Sequence, residues 1–241
     1  MVADIITTMA TIKKRAMHTN SLAQLRLWQL ISPALPIGAF AYSQGLEYAV
    51  ECGWVSDEEQ AYQWISGIAE HSLATMDLPV MIRIFRAWQG DTPSEIEQWS
   101  DFLLASRESK EIQIEDQNIG KALATLLTEL EISEAAPWRF SDRTNFPVMF
   151  TLAASKWSVS IDDALMGYLW AWCENQVAAA IKVVPLGQTS GQRLLSRLIG
   201  QIPAWCDSAQ QVADEDIGML CPGLGIASAL HETQYSRMFR S

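Results

Sequence analysis

Apolar residues recur at intervals of three and four along most of the chain, which is the spacing of a buried helix face. The clearest stripe follows Asp57, which together with Gln60 three residues later resembles a capping box at the start of a helix. Its members are Ala61, Trp64, Ile65, Ile68 and Ala69. No stretch shows a sustained two-residue alternation rich in β-branched residues. The pattern therefore predicts an all-α protein.

Capping residues, glycines and prolines divide the chain into further helices. The predicted helices run over about residues 25–31, 44–52, 57–69, 78–88, 93–106 and 107–130, then onward from 146, and over 161–183, 187–202 and 223–233. Ser43 is expected to cap the second of these. There is no tandem repeat, so we expect a single-domain bundle of roughly ten helices over residues 23–241. Residues 1–22 show no clear period and are predicted to be a flexible N-terminal extension.

The composition is typical of a folded globular protein with a large core. Hydrophobic residues make up 49% of the 241 residues and charged residues 19%, with ten Trp and nine Met. The formal net charge of -11 would repel nucleic-acid phosphates and anionic lipid, so neither is an expected partner. Residues 168–184 look apolar but contain Glu174 and Lys182, which would be costly in a bilayer. We interpret this stretch as a core helix.

Patterns of catalytic and metal-binding residues are incomplete. The four cysteines lack CxxC spacing, and no apolar run of signal-peptide length follows the basic residues 13–15, so we expect reduced thiols and a cytoplasmic location. The chain has no GxxxxGK[ST] loop. His231 begins a sequence similar to HExxH, but Tyr235 stands where a zinc protease needs its second imidazole. The three histidines are each interpreted as surface or hydrogen-bonded side chains.

Three acidic residues near the start of the helix predicted over 107–130 leave one enzymatic alternative open. Glu111, Glu115 and Asp116 could form a carboxylate metal site, as a small all-α metal- or nucleotide-dependent hydrolase would need. Di-iron bundles combine such residues with an ExxH partner, which is missing here. A solvated acidic face is therefore the favoured interpretation, and no cofactor is expected.

Three blocks of sequence resemble the UreF family of urease accessory proteins. The first is PALPIGAFAYSQGLE at 33–47, the second is KVVPLGQ at 182–188 followed by Gly191-Gln192, and the third is HETQYSRMFRS at 231–241. They occur in the family's order, and the resemblance covers the chain from about residue 25 to its end. The long N-terminal extension and Cys221 before Pro222 depart from the family pattern, but both lie outside these blocks.

The resemblance implies an all-helical adaptor without catalytic activity that forms a homodimer. UreF proteins bind UreD, called UreH in some organisms, and together they recruit the GTPase UreG to the urease apoprotein. Nickel arrives with UreG and is released as GTP is hydrolysed. We therefore expect UreD/UreH, UreG and apo-urease as partners, and regulation of UreG during nickel insertion as the function.

Ten residues are candidate partner-binding positions. Some are spaced to share one helix face, and Lys182 matches a lysine that the family ties to control of the UreG GTPase. The C-terminal residues, expected to form a free tail, concentrate the aromatic and arginine side chains that dominate interface energies. The resemblance places the UreD contact near them. The full set is Gln44, Glu47, Tyr48, Lys182, Gln188, Arg193, Tyr235, Arg237, Phe239 and Arg240.

Overall fold

A computed structural model describes residues 20–219 and 221–241. Its α-helices are α1 (Ser21–Leu30), α2 (Leu46–Glu51), α3 (Glu58–Ile68), α4 (Leu78–Gly90), α5 (Pro93–Ala105), α6 (Lys110–Glu129), α7 (Phe146–Lys156), α8 (Ile161–Val183), α9 (Gln188–Ile199), α10 (Ile202–Ala209) and α11 (Pro222–His231). Short 3₁₀ turns cover Ala39–Ala41, Ser133–Arg139 and Asp214–Asp216, and Ala69–Asp77 is a π-helix. No β-strand occurs in these residues, which confirms the predicted all-α class.

The predicted N-terminal extension, residues 1–22, lies mostly outside the described residues. Its last two residues, Ser21 and Leu22, belong to α1. Asn20 caps this helix by accepting a hydrogen bond from the Ala23 amide at 2.9 Å. The helical domain therefore begins slightly earlier than the apolar pattern indicates, because the capping residue precedes the first apolar stripe.

The long helix α8 is the centre of the fold. It runs from Ile161 to Val183, the bounds that the sequence predicts, and it packs against α1, α2, α3, α4, α7, α9 and α10. Side chains from α1 through α10 share one hydrophobic core, so these helices form a single domain. Each fully buried aliphatic side chain contributes about 1.5–3 kcal/mol. None of the described helices, α8 included, is long and apolar enough to cross a membrane.

A π-helix joins α3 to α4 in one continuous helical run. Asp57 caps the start of this run, because its carboxylate accepts a hydrogen bond from the Gln60 amide at 2.8 Å. The Gln60 side chain in turn accepts from the amide of Ser56, the residue before the cap, at 2.9 Å, so it reaches back one residue further than in the predicted capping box. The sequence predicted helices on either side of residues 69–77 but left the joining segment unassigned. Such π segments are rare and are often found at functional sites.

Several predicted helix bounds are wrong: besides the earlier start of α1, α6 begins at Lys110 rather than at Arg107. The helix predicted from Gln44 begins at Leu46, since Gln44 has a φ of 51°, in the left-handed region. Gly45, not Ser43, is consequently the N-cap residue of α2, although the Ser43 hydroxyl still accepts a hydrogen bond from the Glu47 amide in the first turn at 3.3 Å. The helix predicted over 187–202 ends at Ile199, and a separate helix begins at Ile202, where Pro203 suits the first turn.

Gly120 brings α6 into backbone contact with the start of α7. A Cβ atom at this position would lie 2.5 Å from the carbonyl carbon of Asn145, too close for any side chain. Asn145 caps α7 by accepting from the Val148 amide at 3.1 Å, and its amide donates to the Ser100 hydroxyl at 2.8 Å. These contacts fix the position of α6, the helix that carries the acidic residues of the candidate site.

Candidate functional site

The C-terminal tail, residues 232–241, folds back onto the body of the protein. The Glu47 carboxylate of α2 accepts hydrogen bonds from the backbone amides of Met238 at 2.7 Å and Phe239 at 2.9 Å. The Phe239 ring is inserted into the core and is 6% exposed. The expectation of a free tail is therefore wrong, because a buried aromatic ring and a buried carboxylate both hold it in place.

The last two residues continue this docking along the segment before α2. The Arg240 amide donates to the Ala41 carbonyl at 2.9 Å. Ser43 donates from its amide at 2.7 Å and from its hydroxyl at 2.6 Å to the Ser241 carbonyl. The Ser241 hydroxyl donates to the Glu115 carboxylate of α6 at 2.6 Å. The first and third sequence blocks of the UreF resemblance thus meet in space.

His231, the last residue of α11, lies between two carboxylates and is completely buried. Its Nε2 is 3.2 Å from Glu47, and its Nδ1 is 2.8 Å from Glu111. The second Glu111 oxygen accepts from Arg237 of the tail at 2.6 Å. A neutral imidazole has one donor and one acceptor nitrogen, so satisfying both carboxylates requires an additional proton. These contacts join α2, α6, α11 and the tail.

Gln44 connects α6 to the central helix α8. Its amide nitrogen donates to Glu115 at 2.8 Å, and its oxygen accepts from the Trp172 indole of α8 at 2.7 Å. Glu115 is 4% exposed. Burial raises the pKa of Glu115 to about 7, and the hydrogen bonds from Ser241 and Gln44 oppose this effect only in part.

A second buried ionic group lies at the start of α6. Arg107 is 2.9 Å from Asp77, at the end of the π-helix, and 2.7 Å from Asp116. Burial alone would lower the pKa of Arg107, but the two carboxylates raise it well above its usual value. Burial also raises the pKa of Asp116, whose other oxygen accepts from the Phe146 amide at 2.8 Å. Arg107 therefore ties the π-helix to α6 and to the start of α7.

A cavity of about 130 Å³, partly open to solvent, lies between these two groups and has room for a few water molecules. Its walls are mostly aliphatic and aromatic. Its polar residues come from the π-helix, α6 and α8, and from the segments that precede α2 and α6. The polar lining consists of Ser32, Gln44, Ser72, Asp77, Arg107, Glu108, Glu115, Asp116, Tyr168, Glu174 and Asn175. The cavity thus has carboxylates in excess over its one guanidinium.

The acidic residues of α6 do not form the solvated face that the sequence predicted. Glu115 and Asp116 are buried, and the Glu111 side chain is 13% exposed. Each is engaged by protein donors, and no group of three or more His, Cys, Asp or Glu within residues 20–219 and 221–241 is arranged to hold a metal ion. The carboxylates that the hydrolase alternative requires are therefore used to hold the fold and the tail.

A signal for these buried acids is present in the sequence. Glu115 lies three residues after Ile112 and four before Ile119, so it occupies the apolar stripe of α6. A carboxylate on such a stripe needs a specific partner when the helix is buried. His231, which the sequence left as either a surface or a hydrogen-bonded histidine, is buried and hydrogen-bonded on both nitrogens.

Five of the predicted partner-binding residues contact the tail or belong to its docked part, and a sixth, Gln44, shares the Glu115 carboxyl group with the Ser241 hydroxyl of the tail. The Lys182 ammonium, at the end of α8, lies 5.2 Å from the centre of the Phe239 ring, a cation–π contact. The group consists of Gln44, Glu47, Lys182, Arg237, Phe239 and Arg240.

The remaining predicted residues are placed differently. Tyr48 packs edge-on against Trp54 at 6.2 Å, and it does not share a helix face with Gln44, since Gln44 precedes the helix. Gln188 is the exposed first residue of α9, and Arg193 pairs with Glu58 of α3 at 2.8 Å. Tyr235 is fully exposed on the tail.

Comparison with known proteins identifies the family. A model of the UreF family matches residues 55–199. The urease accessory protein UreF of Alkalilimnicola ehrlichii is 50% identical over 225 residues, which cover 93% of this chain and 99% of that protein. UreF of Teredinibacter turnerae is 46% identical over 217 residues, covering 90% and 98%. UreF of Chromohalobacter salexigens is 47% identical over 222 residues, covering 92% and 96%. This chain therefore belongs to the UreF family of urease accessory proteins.

Proposed function

We propose that this chain is a cytoplasmic, non-catalytic adaptor that binds UreD (UreH in some organisms) and regulates the GTPase UreG during nickel insertion into the urease apoprotein. Membership of the UreF family supports an accessory role in urease maturation. The observation that carries the proposal is the docked tail. The docked tail exposes some of its side chains to solvent, while others anchor it to the body of the protein.

The outward side chains of the tail have the chemistry of a binding surface. Tyr235 is fully exposed and Met238 is 64% exposed, whereas Phe239 is buried. Exposed aromatic and thioether groups beside arginines are the types enriched at interfaces. Because the anchors hold the tail backbone, these groups are pre-positioned, which lowers the entropy lost on binding.

Co-purification and nickel loading test the adaptor role directly. Purified chain, UreD and UreG are mixed, and nickel-dependent activation of apo-urease is measured with and without the chain. A stable complex whose omission stops activation supports the proposal. The absence of both complex and effect would refute it.

The UreD contact is tested on the tail. Deleting residues 235–241 is expected to abolish UreD binding with helix content intact, but it also uncovers buried carboxylates. Replacing Tyr235 and Met238 by alanine is sharper, since neither side chain is an anchor. Capture of UreD should fall at unchanged thermal stability. Phe140→Ala, an 83% exposed aromatic on the segment before α7, is the matched control. Equal capture by the tail variant and the control would contradict the placement.

The role of Lys182 is tested through UreG turnover. Lys182→Ala should reduce nickel activation and alter GTP hydrolysis during activation, while Lys110→Ala, an exposed lysine on α6, should leave both unchanged. A tail that stays docked in Lys182→Ala would show that the effect does not come from the lost contact with Phe239. Wild-type values of both rates for Lys182→Ala would refute the role.

We also propose that a second copy of the chain covers an apolar groove formed by α1, α8, α10 and the end of α9. The groove has a volume of about 610 Å³ and is lined by Trp28, Met166, Trp170 and Ile199 among others. Trp28 is 57% and Ile199 41% exposed, an arrangement typical of association surfaces. Met166→Asp should convert a dimer to a monomer in light scattering. Met219→Asp, an exposed methionine elsewhere, should not. A monomeric wild-type chain would refute this part.

A further inference from the structure

Glu115 is a buried carboxyl group that the tail covers. Its hydrogen-bond donors among the described residues are the Ser241 hydroxyl at 2.6 Å and the Gln44 amide at 2.8 Å, and both are neutral. The nearby guanidinium of Arg107 is already shared by Asp77 and Asp116. A buried carboxylate without a cationic partner carries a large desolvation cost, so this geometry favours the protonated form.

The other charged groups near Glu115 add to this preference. Asp116 follows it on α6, and the cavity beside it also contains Glu108 and the Tyr168 hydroxyl of α8. Burial raises the pKa of Glu108 as well. Of these neighbours, Arg107 alone carries a positive charge, and its two carboxylate partners more than offset it.

The tail itself carries its cations away from Glu115. Arg237 pairs with Glu111, and the Arg240 side chain is exposed. From α8, Lys182 lies over the Phe239 ring. His231 is occupied by Glu47 and Glu111. The tail therefore covers Glu115 with a hydroxyl group and brings no compensating charge to it.

We propose that the C-terminal tail is a proton-sensitive latch, which stays closed on the body while Glu115 carries a proton and opens as Glu115 ionises. The inference rests on the contacts between tail and body, and it holds whichever partner captures the tail. A partner that binds the docked tail, as proposed above for UreD, would bind more weakly as the pH rises, because less of the tail would be docked.

The sign of the effect follows from linkage. With the tail docked, burial raises the pKa of Glu115 from 4.5 to about 7. When the tail leaves, water reaches the carboxyl group and its pKa falls toward the ordinary value. The docked state thus binds more protons, so docking is strongest below about pH 4.5 and weakens as the pH rises through 7. The docking constant falls by at most about tenfold per pH unit between these limits.

Hydrogen exchange at the tail amides measures docking directly. Protection of the Met238, Phe239 and Arg240 amides is followed from about pH 5 to about pH 8.5 in the full-length chain and corrected for the intrinsic exchange rate. Protection in the wild type should fall with pH and level off above about 7, relative to amides in α4. Glu115→Gln keeps the shape without the titration, so its protection should stay constant between about pH 5 and pH 7.

Controls separate this device from a general effect of pH. Glu134→Gln changes an exposed carboxylate that pairs with Lys156, and it should keep the wild-type profile. Constant protection in the wild type, or a parallel fall in Glu115→Gln, would overturn the proposal.

A second measurement covers the case in which Glu115→Gln does not fold, as judged by circular dichroism. The full-length Phe239→Ala/Ser241→Ala variant removes the tail anchors but retains Glu115. Carbon-13 NMR of the glutamate carboxyls should show a lower titration midpoint for Glu115 in this variant than in the wild type. An unchanged midpoint would mean that the tail does not control the proton.

Discussion

Replacing Glu47 by alanine should release the C-terminal tail while leaving the helical domain folded. Glu47 is the one acceptor for two consecutive tail amides, those of Met238 and Phe239. It is also one of the two carboxylates at His231. An alanine side chain cannot accept a hydrogen bond from either amide. Phe239 is 6% exposed, so its amide would be buried without an acceptor in the docked state.

The size of the effect follows from the amides that lose their acceptor. A buried donor without a partner costs about 1–3 kcal/mol. Taking about 2 kcal/mol for the Phe239 amide alone, the docking constant falls about 30-fold, since about 1.4 kcal/mol corresponds to a factor of ten. The partly buried Met238 amide adds to this loss, so a fall of about 30-fold is the lower limit of the expected effect.

Limited trypsin digestion measures the release. Trypsin cuts after Arg237, and the amide of the bond that it cleaves is the Met238 amide held by Glu47. When opening is fast, the cleavage rate follows the population of the open state. Cleavage at this bond should therefore be about 30 times faster or more in Glu47→Ala, as measured by mass spectrometry.

Two controls make the result specific. Glu51→Ala removes an exposed carboxylate from the end of the same helix and should leave the cleavage rate unchanged. Helix content by circular dichroism should match the wild type for both variants. A cleavage rate for Glu47→Ala within about threefold of the wild type would refute the reasoning, because the two amide bonds would then contribute little to docking.

Further predictions concern stability and thiol chemistry. Gly120→Ala should lower the melting temperature, because its Cβ would meet backbone rather than a movable side chain, at a cost of about 1–3 kcal/mol or more. Gly67→Ala, within α3 and with open space around the added atom, should instead stabilise by up to about 1 kcal/mol; equal melting temperatures would contradict both expectations. Arg107→Met leaves two buried carboxylates uncompensated, so urea unfolding should show a loss of about 3–5 kcal/mol, and a loss under about 1 kcal/mol would be inconsistent with the ion-pair geometry. In a thiol-reagent assay at about pH 8, exposed Cys52 should react readily, whereas Cys173, whose pKa burial raises to about 12, should react only on unfolding.

The helices could be predicted from the sequence wherever their signals are local. The ends of α8 match the prediction because two acidic residues mark its first turn and Pro185 follows its last. The Asp57 cap of α3 is correct for the same reason. The π-helix over residues 69–77 could not be recognised, since its apolar residues continue the stripe of α3 without any breaker. Its wider turn depends on packing against neighbouring helices.

The candidate site could be predicted only in part, because its contacts join residues far apart in the chain. Ser43 and Ser241 are separated by 198 positions, and no local pattern shows that they are hydrogen-bonded. The family resemblance marks both blocks but does not place them together. Sequence periodicity puts Glu115 on an apolar stripe, yet the missing ExxH partner argued against a metal site and left a solvated face as the favoured interpretation. The burial of Glu115 is explained by its hydrogen bonds with Gln44 and with Ser241 of the tail.

The π-helix also sets the rotational phase between α3 and α4. Successive residues of an α-helix turn by about 100°, since 3.6 residues complete one turn. In the π-helix each hydrogen bond reaches one residue further, so each residue turns the chain through a smaller angle. The rotation accumulated over this segment determines the direction of the Asp77 side chain, which lies at its end and faces Arg107. Adding or removing one residue in this segment would therefore turn Asp77 through somewhat less than about 100°, away from Arg107, and direct α4 toward different neighbours.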